Sequence, residues 1–458
     1  MSGRFDELRR EYPQFVYSGY SVSEHEDGLH LSFDFSIPGL CEFHPQTRLD
    51  GKSLDIFNSP VSDYAKRMVF FIGLAEAVSY WKCACSPVFR VECGEMSEDD
   101  KAFFKKLWFN GLGEFFYRNG IKTDIDSFVR IDAPEPKNIP QCEDYVSSGI
   151  EIVPVGGGKD SAVTTELLHP FSDKLRFFTV NDQLARTQCV LAGGYSEDKI
   201  IKIYRTIDPE LLKRNAEGFL NGHTPFSSVV AFISMYAGFI EGADDVILSN
   251  ESSANESNIG GESVNHQYSK SFEFERDFDE FRRRNFPQSA VYFSLLRPFC
   301  ELQIAKQFSQ YKQYHLIFRS CNRGSKKNIW CCECPKCLFV AIMLSPFLPP
   351  DELNSIFGCD MLAKTELETD FDGLCGFTGL KPFECVGTAD EVVLALTLTA
   401  EKYRKSGLEM PALLRRFCEK NTASADYSLL SGFNEENLIP KKFDECVKRM
   451  FEYVSAAD

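Results

Sequence analysis

The chain has 458 residues, too many for one ordinary hydrophobic core, so two or three domains are expected. Its 43% hydrophobic and 26% charged content are those of a globular protein that dissolves in water. A net charge of −17 argues against a general nucleic-acid binder and requires any anionic ligand to be met by local donors, of which Arg282–Arg284, Arg319, Arg323, Lys326 and Lys327 are candidates. The start, Met1 to Arg10, lacks the apolar core of a signal peptide. The longest apolar stretch, Val229 to Ile240, is too short to span a bilayer and ends at Glu241. A cytoplasmic protein with no membrane or nucleic-acid partner is the expectation. In that setting the 17 cysteines read as metal ligands where clustered and as small buried hydrophobes where isolated.

Residues 1–145 read as a separate α+β domain. Tyr20 to Ile37 alternates apolar and polar residues around Glu26-Asp27-Gly28, the pattern of a hairpin. Val61–Tyr80 and Asp99–Arg118 have helical periodicity, and the proline-rich stretch Asp132–Pro140 reads as a linker. Residues 146–345 alternate strand and helix, which implies a parallel sheet. The expected strands are Ile150–Val155, Leu175–Val180, Lys199–Tyr204, Val246–Ser249, Val291–Leu295 and Leu316–Arg319; helices between them include Ser161–Leu168, Thr224–Glu241 and Glu301–Gln310. Ligands of such sheets lie beyond the carboxyl ends of the strands, which places loops 156–161, 181–186, 250–256 and 320–323 at one site. Residues 346–458 read as mainly helical.

The most informative stretch follows the first of those strands. Three glycines, Gly156, Gly157 and Gly158, lead into Lys159, Asp160 and Ser161 at a helix start. Glycines let the backbone approach a phosphate, and the unpaired N–H groups of the first turn hold negative charge. The loop lacks the G-K-[ST] ending of a P-loop and the spacing of a dinucleotide fingerprint. It resembles the PP-loop, S-G-G-x-D-S, of the ATP pyrophosphatase families, with Gly156 where the first serine stands. That resemblance implies an α/β fold with a parallel-sheet PP-loop domain, of the adenine nucleotide alpha hydrolase type, that cleaves ATP between its α and β phosphates. Gly156, Gly157, Gly158 and Ser161 would then bind pyrophosphate, and Asp160 would hold Mg²⁺ directly or through water. Lys159 would contact a phosphate or face solvent. Asn181 and Asp182 would reach the nucleotide or form an Asx turn.

A second constellation is Cys321, Cys331, Cys334 and Cys337, with the spacing C-x9-C-x2-C-x2-C. Four thiolates at such intervals suit tetrahedral Zn²⁺, and four sulfur ligands leave no open position, so the site reads as structural. Cys332 falls outside the pattern and reads as free. Loop and cluster together resemble the 7-cyano-7-deazaguanine synthases, which keeps an adenylating amidase or ligase as the alternative reading.

A longer set of segments is similar to the UDP-N-acetylmuramoyl-L-alanyl-L-glutamate epimerase family of bacterial peptidoglycan synthesis. The segments are 154–161, Ser249–Glu256, Val264–Lys270, Phe293–Pro298, Phe318–Gly324, Cys334–Phe339 and Lys381–Thr388. The resemblance implies an ATP- and Mg²⁺-dependent isomerase that inverts the terminal L-glutamate of UDP-MurNAc-L-Ala-L-Glu and releases AMP and diphosphate. Adenylating the carboxylate beside the α-proton removes its negative charge and acidifies that proton, which replaces a cofactor such as pyridoxal phosphate. Epimerisation needs an acid and a base at the α-carbon; the candidates are Cys385, His266, Glu251 and Glu384. Asn250 and Asn255, in a polar run directly after a predicted strand, are candidate substrate ligands. Arg297, Arg319 and Arg323 could fork onto a carboxylate or diphosphate. Oligomeric state is not legible.

Overall fold

Alternating side chains build the first hairpin. In β1 (Gln14–His25) and β2 (Gly28–Ile37) the inward residues include Phe15, Tyr17, Leu29, Leu31, Phe33 and Phe35. The strands pair antiparallel with His25 opposite Gly28, so the hairpin expected at Glu26–Gly28 closes on a two-residue turn. The computed structural model describes residues 3–140, 142, 147–255, 265–378 and 381–456. Its other strands are β3 (Cys41–Phe43), β4 (Gln46–Asp50), β5 (Val88–Val91), β6 (Arg130–Asp132), β7 (Ile150–Pro154), β8 (Leu175–Val180), β9 (Ile200–Arg205), β10 (Ala243–Leu248) and β11 (Val291–Ser294). The architecture is mixed α/β. By internal packing the chain forms two units, one of residues 1–152, 201–246 and 264–292, the other of 153–200, 247–263 and 293–458.

The first unit carries the strand order β9-β4-β2-β1-β5-β6, with β3 added to β2. Pairing is antiparallel from β9 through β1 and parallel from β1 through β6. Helix Ser62–Trp81 is buried along most of its length, as expected of a helix apolar on all sides. Gly73 of this helix lies where any Cβ would sit 2.0 Å from the Tyr17 hydroxyl and 2.8 Å from the Phe33 ring. Phenylalanines fill the space beyond it: Phe71 meets Phe281 edge-on at 4.9 Å, and Phe104 stacks on Phe232 at 5.5 Å. Charged side chains inside this core are paired. Glu76 takes a bidentate bond from Arg205, both contacts 2.6 Å, and Arg67 reaches Asn285 at 2.6 Å, which in turn donates to Asp100 at 2.7 Å.

The helix expected over Asp99–Arg118 is two helices, Glu98–Gly111 and Gly113–Arg118. The two glycines that flank Leu112 lower helix propensity where the break occurs. The first piece starts on a capping box in which Ser97 and Asp100 exchange hydrogen bonds of 3.2 and 3.1 Å.

Strands of the glycine-loop region run in the order β11-β10-β7-β8, with β10 parallel to β7. In the second unit, helix Glu301–Phe308 is buried throughout and packs on helices Lys159–Leu167, Pro335–Leu344 and Asp444–Ser455. Helices Leu184–Ala192, Pro350–Phe357, Glu368–Leu374, Ala389–Ser406 and Ala412–Lys420 also belong to it. The strand expected at Leu316–Arg319 does not form. Ile317 and Phe318 instead turn back onto the Tyr314 carbonyl, and the Arg319 N–H donates to the Gly157 carbonyl at 2.7 Å. No helix among the described residues is long and apolar enough to cross a membrane.

Gly73→Ala overpacks the first unit against Tyr17 and Phe33. The expected cost is about 1–3 kcal/mol, read as a lower urea midpoint with an unchanged m-value.

Candidate functional site

The glycine loop leaves β7 with its register held by a 2.8 Å bond from the Val155 N–H to the Phe178 carbonyl. Gly156 is exposed and has open space where a Cβ would be, so the residue type expected there by analogy, serine, would fit. Gly157 adopts φ +81°, a left-handed conformation that favours glycine, and lies against the backbone of Ala185 and Arg186. A Cβ on Gly158 would sit 2.7 Å from the Ser320 hydroxyl. Loops 156–161, 181–186 and 319–320 therefore meet at Gly157 and Gly158. Helix Lys159–Leu167 starts there with Gly158 as its N-cap, so its first-turn N–H groups point into the loop. The Ser161 hydroxyl donates to the Gly158 carbonyl at 3.0 Å.

Lys159 does not face solvent. Its ammonium is buried, 1% exposed, and is shared by the carboxylates of Asp160 and Glu301. These two carboxylates hold the lysine well above its ordinary range. Glu301 itself, fully buried and close to Asp160 and Glu251, is pushed up to about 7 by burial, with Lys159 opposing the shift. The Glu301 N–H donates at 2.6 Å to Glu391, which also accepts from the Ser253 hydroxyl at 2.9 Å. The other oxygen of Glu391 accepts from the Thr388 N–H at 2.6 Å, closing a capping box on helix Ala389–Ser406. One carboxylate thus caps two helices and fixes loop 250–255 through Ser253.

Arg297 is fully buried; it donates to the Glu251 carbonyl at 2.6 Å and to the Ser294 hydroxyl at 3.4 Å. Asn250 donates to the same hydroxyl at 3.1 Å. Asn255 ends the short turn Ser252–Asn255; its side chain and residues 256–264 lie outside what is described. Asn181, at φ +54°, and Asp182 follow β8; the Asn181 carbonyl accepts from Arg186 at 2.8 Å, and Asp182 accepts from the Thr187 hydroxyl at 3.1 Å. Arg319 donates to the carbonyls of Asn328 and Phe318, and Arg323 to that of Glu333. Glu384 accepts from Asn322 at 2.9 Å, while the carbonyl of Cys385 takes the ammonium of Lys336. Glu251, Glu384 and Cys385 thus belong to the second unit, with the glycine loop. His266 belongs to the first, where its Nδ1 bonds Glu114 and its ring lies 4.1 Å from that of His223. Burial and the neighbouring His266 push His223 down to about 3.

Cys321, Cys331, Cys334 and Cys337 bring their sulfurs together, with Sγ–Sγ separations of 3.9, 3.8 and 3.5 Å for three of the pairs. Four thiolates around one tetrahedral ion at ~2.3 Å would be ~3.8 Å apart. The donor set and spacing fit that ion. Cys332 stands outside the group, and its thiol contacts the Phe357 carbonyl.

Sequence reasoning missed Glu301, Glu391, Lys336 and Glu114. A signal existed for Glu391, since Thr388-Ala-Asp-Glu391 is a capping-box pattern. For the others it did not, because their partners are 49 to 152 residues away.

Two family models match the chain: the MurL N-terminal domain over residues 6–295 and the MurL C-terminal domain over residues 317–428. Three curated relatives bear the name UDP-N-acetyl-alpha-D-muramoyl-L-alanyl-L-glutamate epimerase. The protein of Xanthomonas oryzae pv. oryzae is 36% identical over 338 residues, 72% of this chain and 73% of its own. That of Micromonospora sp. is 34% identical over 87% of this chain and 89% of its own, and that of Salinispora tropica 33% identical over 87% of each. No solved structure matches.

Two outcomes follow from the site geometry. Glu301 carries a folded-state value of about 7 against an ordinary 4.5, so between those values the folded chain keeps a proton that the unfolded chain has released. Stability therefore falls as pH rises through this window. In Glu301→Gln that component is absent, and urea midpoints measured across the window fall less steeply than in the wild type. Cys334→Ser holds one equivalent of zinc fewer than the wild type in elemental analysis and melts at a lower temperature.

Proposed function

The chain belongs to the MurL epimerase family, and on that premise we propose that it inverts the terminal glutamate of UDP-MurNAc-L-Ala-L-Glu from L to D during peptidoglycan precursor synthesis. The observation that carries this reading is the pair of family matches, which take in both the glycine loop and the cysteine cluster. The loop supports the finer chemistry. Its first-turn N–H groups and the Ser161 hydroxyl suit the phosphates of ATP. Asp160, partly exposed at the loop, is the carboxylate that would hold Mg²⁺, which supplies charge neutralisation at the phosphates.

In this reading an oxygen of the glutamate α-carboxylate attacks the α-phosphorus of ATP, and diphosphate leaves. The resulting mixed anhydride carries no charge on the acyl group, so a base removes the α-proton more readily than from a free carboxylate. A proton returned to the opposite face and water added to the anhydride give UDP-MurNAc-L-Ala-D-Glu and AMP. Glu251, Glu384 and Cys385 are the acid–base candidates of the second unit. Arg319 and Arg323 are its candidate contacts for a substrate carboxylate or diphosphate, and Asn250 a further one. The cysteine cluster would hold a structural Zn²⁺.

Incubation with UDP-MurNAc-L-Ala-L-Glu, ATP and Mg²⁺ is expected to yield D-glutamate by chiral analysis, equimolar AMP, and deuterium at Cα when run in D₂O. Asp160→Ala lowers that rate by at least about a hundredfold. Formation of ADP, or turnover without inversion, would overturn the proposal; a stable amide or thio product formed only with an added nucleophile would favour an adenylating ligase.

A further inference from the structure

Within the first unit three segments deliver titratable side chains to one point. Glu114 comes from helix Gly113–Arg118, His223 from the stretch ahead of helix Phe226–Glu241, and His266 from the stretch ahead of the turn Tyr268–Lys270. One ligand atom from each lies within 4.8 Å of the others. We propose that Glu114, His223 and His266 form a second metal site, separate from the four cysteines, that takes a divalent transition ion such as Zn²⁺ and leaves it an exchangeable position.

The chemistry of the donors selects the ion. Two imidazoles and a carboxylate suit Zn²⁺ and its first-row neighbours, whereas Mg²⁺ and Ca²⁺ prefer all-oxygen sets. Three protein ligands leave a tetrahedral ion one place for water or an oxygen of a ligand, unlike the closed set of four thiolates. The spacing is compatible. Ligand atoms on one tetrahedral ion at ~2.0–2.1 Å stand ~3.3 Å apart. The separations from Glu114 Oε2 to Nδ1 of His266 and of His223, 2.5 and 4.0 Å, bracket that value. Small rotations about side-chain bonds bring both to it.

The surroundings hold the three ligands in place, as the outer partners of a metal site do. The second carboxylate oxygen of Glu114 is engaged by Arg118, which turns Oε2 toward the imidazoles. The segment bearing His223 is tied down on both sides. Lys82 donates to the Gly222 carbonyl at 2.6 Å and to the Asn221 side chain at 3.1 Å, and Asn119 donates to the Asn221 carbonyl at 3.1 Å. Gly222 lies so close to Phe115, the neighbour of Glu114, that a Cβ would stand 3.1 Å from its ring. On the other side, an Asx turn bonds the Gln267 N–H to Asn265 at 2.7 Å and orients the residue between them, His266. In this arrangement His266 serves as a ligand rather than as a free acid–base group.

The test uses the full-length protein, saturated with Zn²⁺ alone and freed of loosely held ion by gel filtration. Elemental analysis is expected to give one equivalent more in the wild type than in His223→Ala or Glu114→Gln, with the cluster cysteines equally protected from a thiol reagent in all three. Zinc-edge X-ray absorption should show mixed nitrogen/oxygen and sulfur ligands in the wild type and sulfur alone in the variants. His266→Gln, checked for wild-type cooperative unfolding, guards against a variant that loses metal by misfolding. Equal zinc content in the wild type and all folded variants, with sulfur-only absorption spectra, would overturn the proposal and leave a hydrogen-bonded Glu–His–His group.

Discussion

A buried ammonium governs the second unit. Removing a lysine from water costs several kcal/mol unless its charge is met by well-placed partners. Lys159 meets that condition with two carboxylates, one from its own loop and one from the start of a helix buried along its whole length. The pairing ties loop to helix. Because the amide of the same Glu301 is held by Glu391, the tie extends to Ser253 and to the start of helix Ala389–Ser406. The glycine loop therefore does not stand alone as a flexible turn. Its conformation is tied to Lys159 and Glu301, two buried charges that would be stranded in the interior if they separated.

This arrangement bears on how the loop can meet an anion. The loop backbone offers N–H donors, but the ammonium of Lys159 has already been claimed by two acidic groups. Negative charge from a ligand would be countered by the helix start and by cations other than this lysine. A chain with a net charge of −17 gives no help from its overall field. What the loop offers an anion is backbone geometry more than side-chain charge.

Much of the local structure could be read directly from the residues. Period-two alternation gave the first hairpin, and glycine followed by helical spacing gave the loop and its helix. Features that depend on distant partners could not be read. Leu316–Arg319 has the composition of a strand, yet its backbone is used to close a turn and to hold Gly157. The burial of Lys159 could not be read, because Glu301 lies 142 residues away. His266 stood out as one of seven histidines, but nothing near it in sequence pointed to Glu114. The cysteine cluster was legible because all four of its members lie within one short segment; the His–Glu group was not, because its members come from three.

The order in which the units take up the chain has a consequence during synthesis. The first unit draws on residues 1–152, then 201–246, then 264–292. Its strand β4 pairs with β9 through contacts such as Thr47 opposite Arg205, and its phenylalanine core includes Phe278 and Phe281. A ribosome that has just released residue 152 must add 140 more before that core can close, roughly ten to thirty seconds at ordinary elongation rates. For that interval helix Ser62–Trp81 packs on the hairpin but lacks the cover that Phe281 and helix Phe226–Glu241 later give its other face. The nascent protein is thus one whose early segments need protection until its middle has been made.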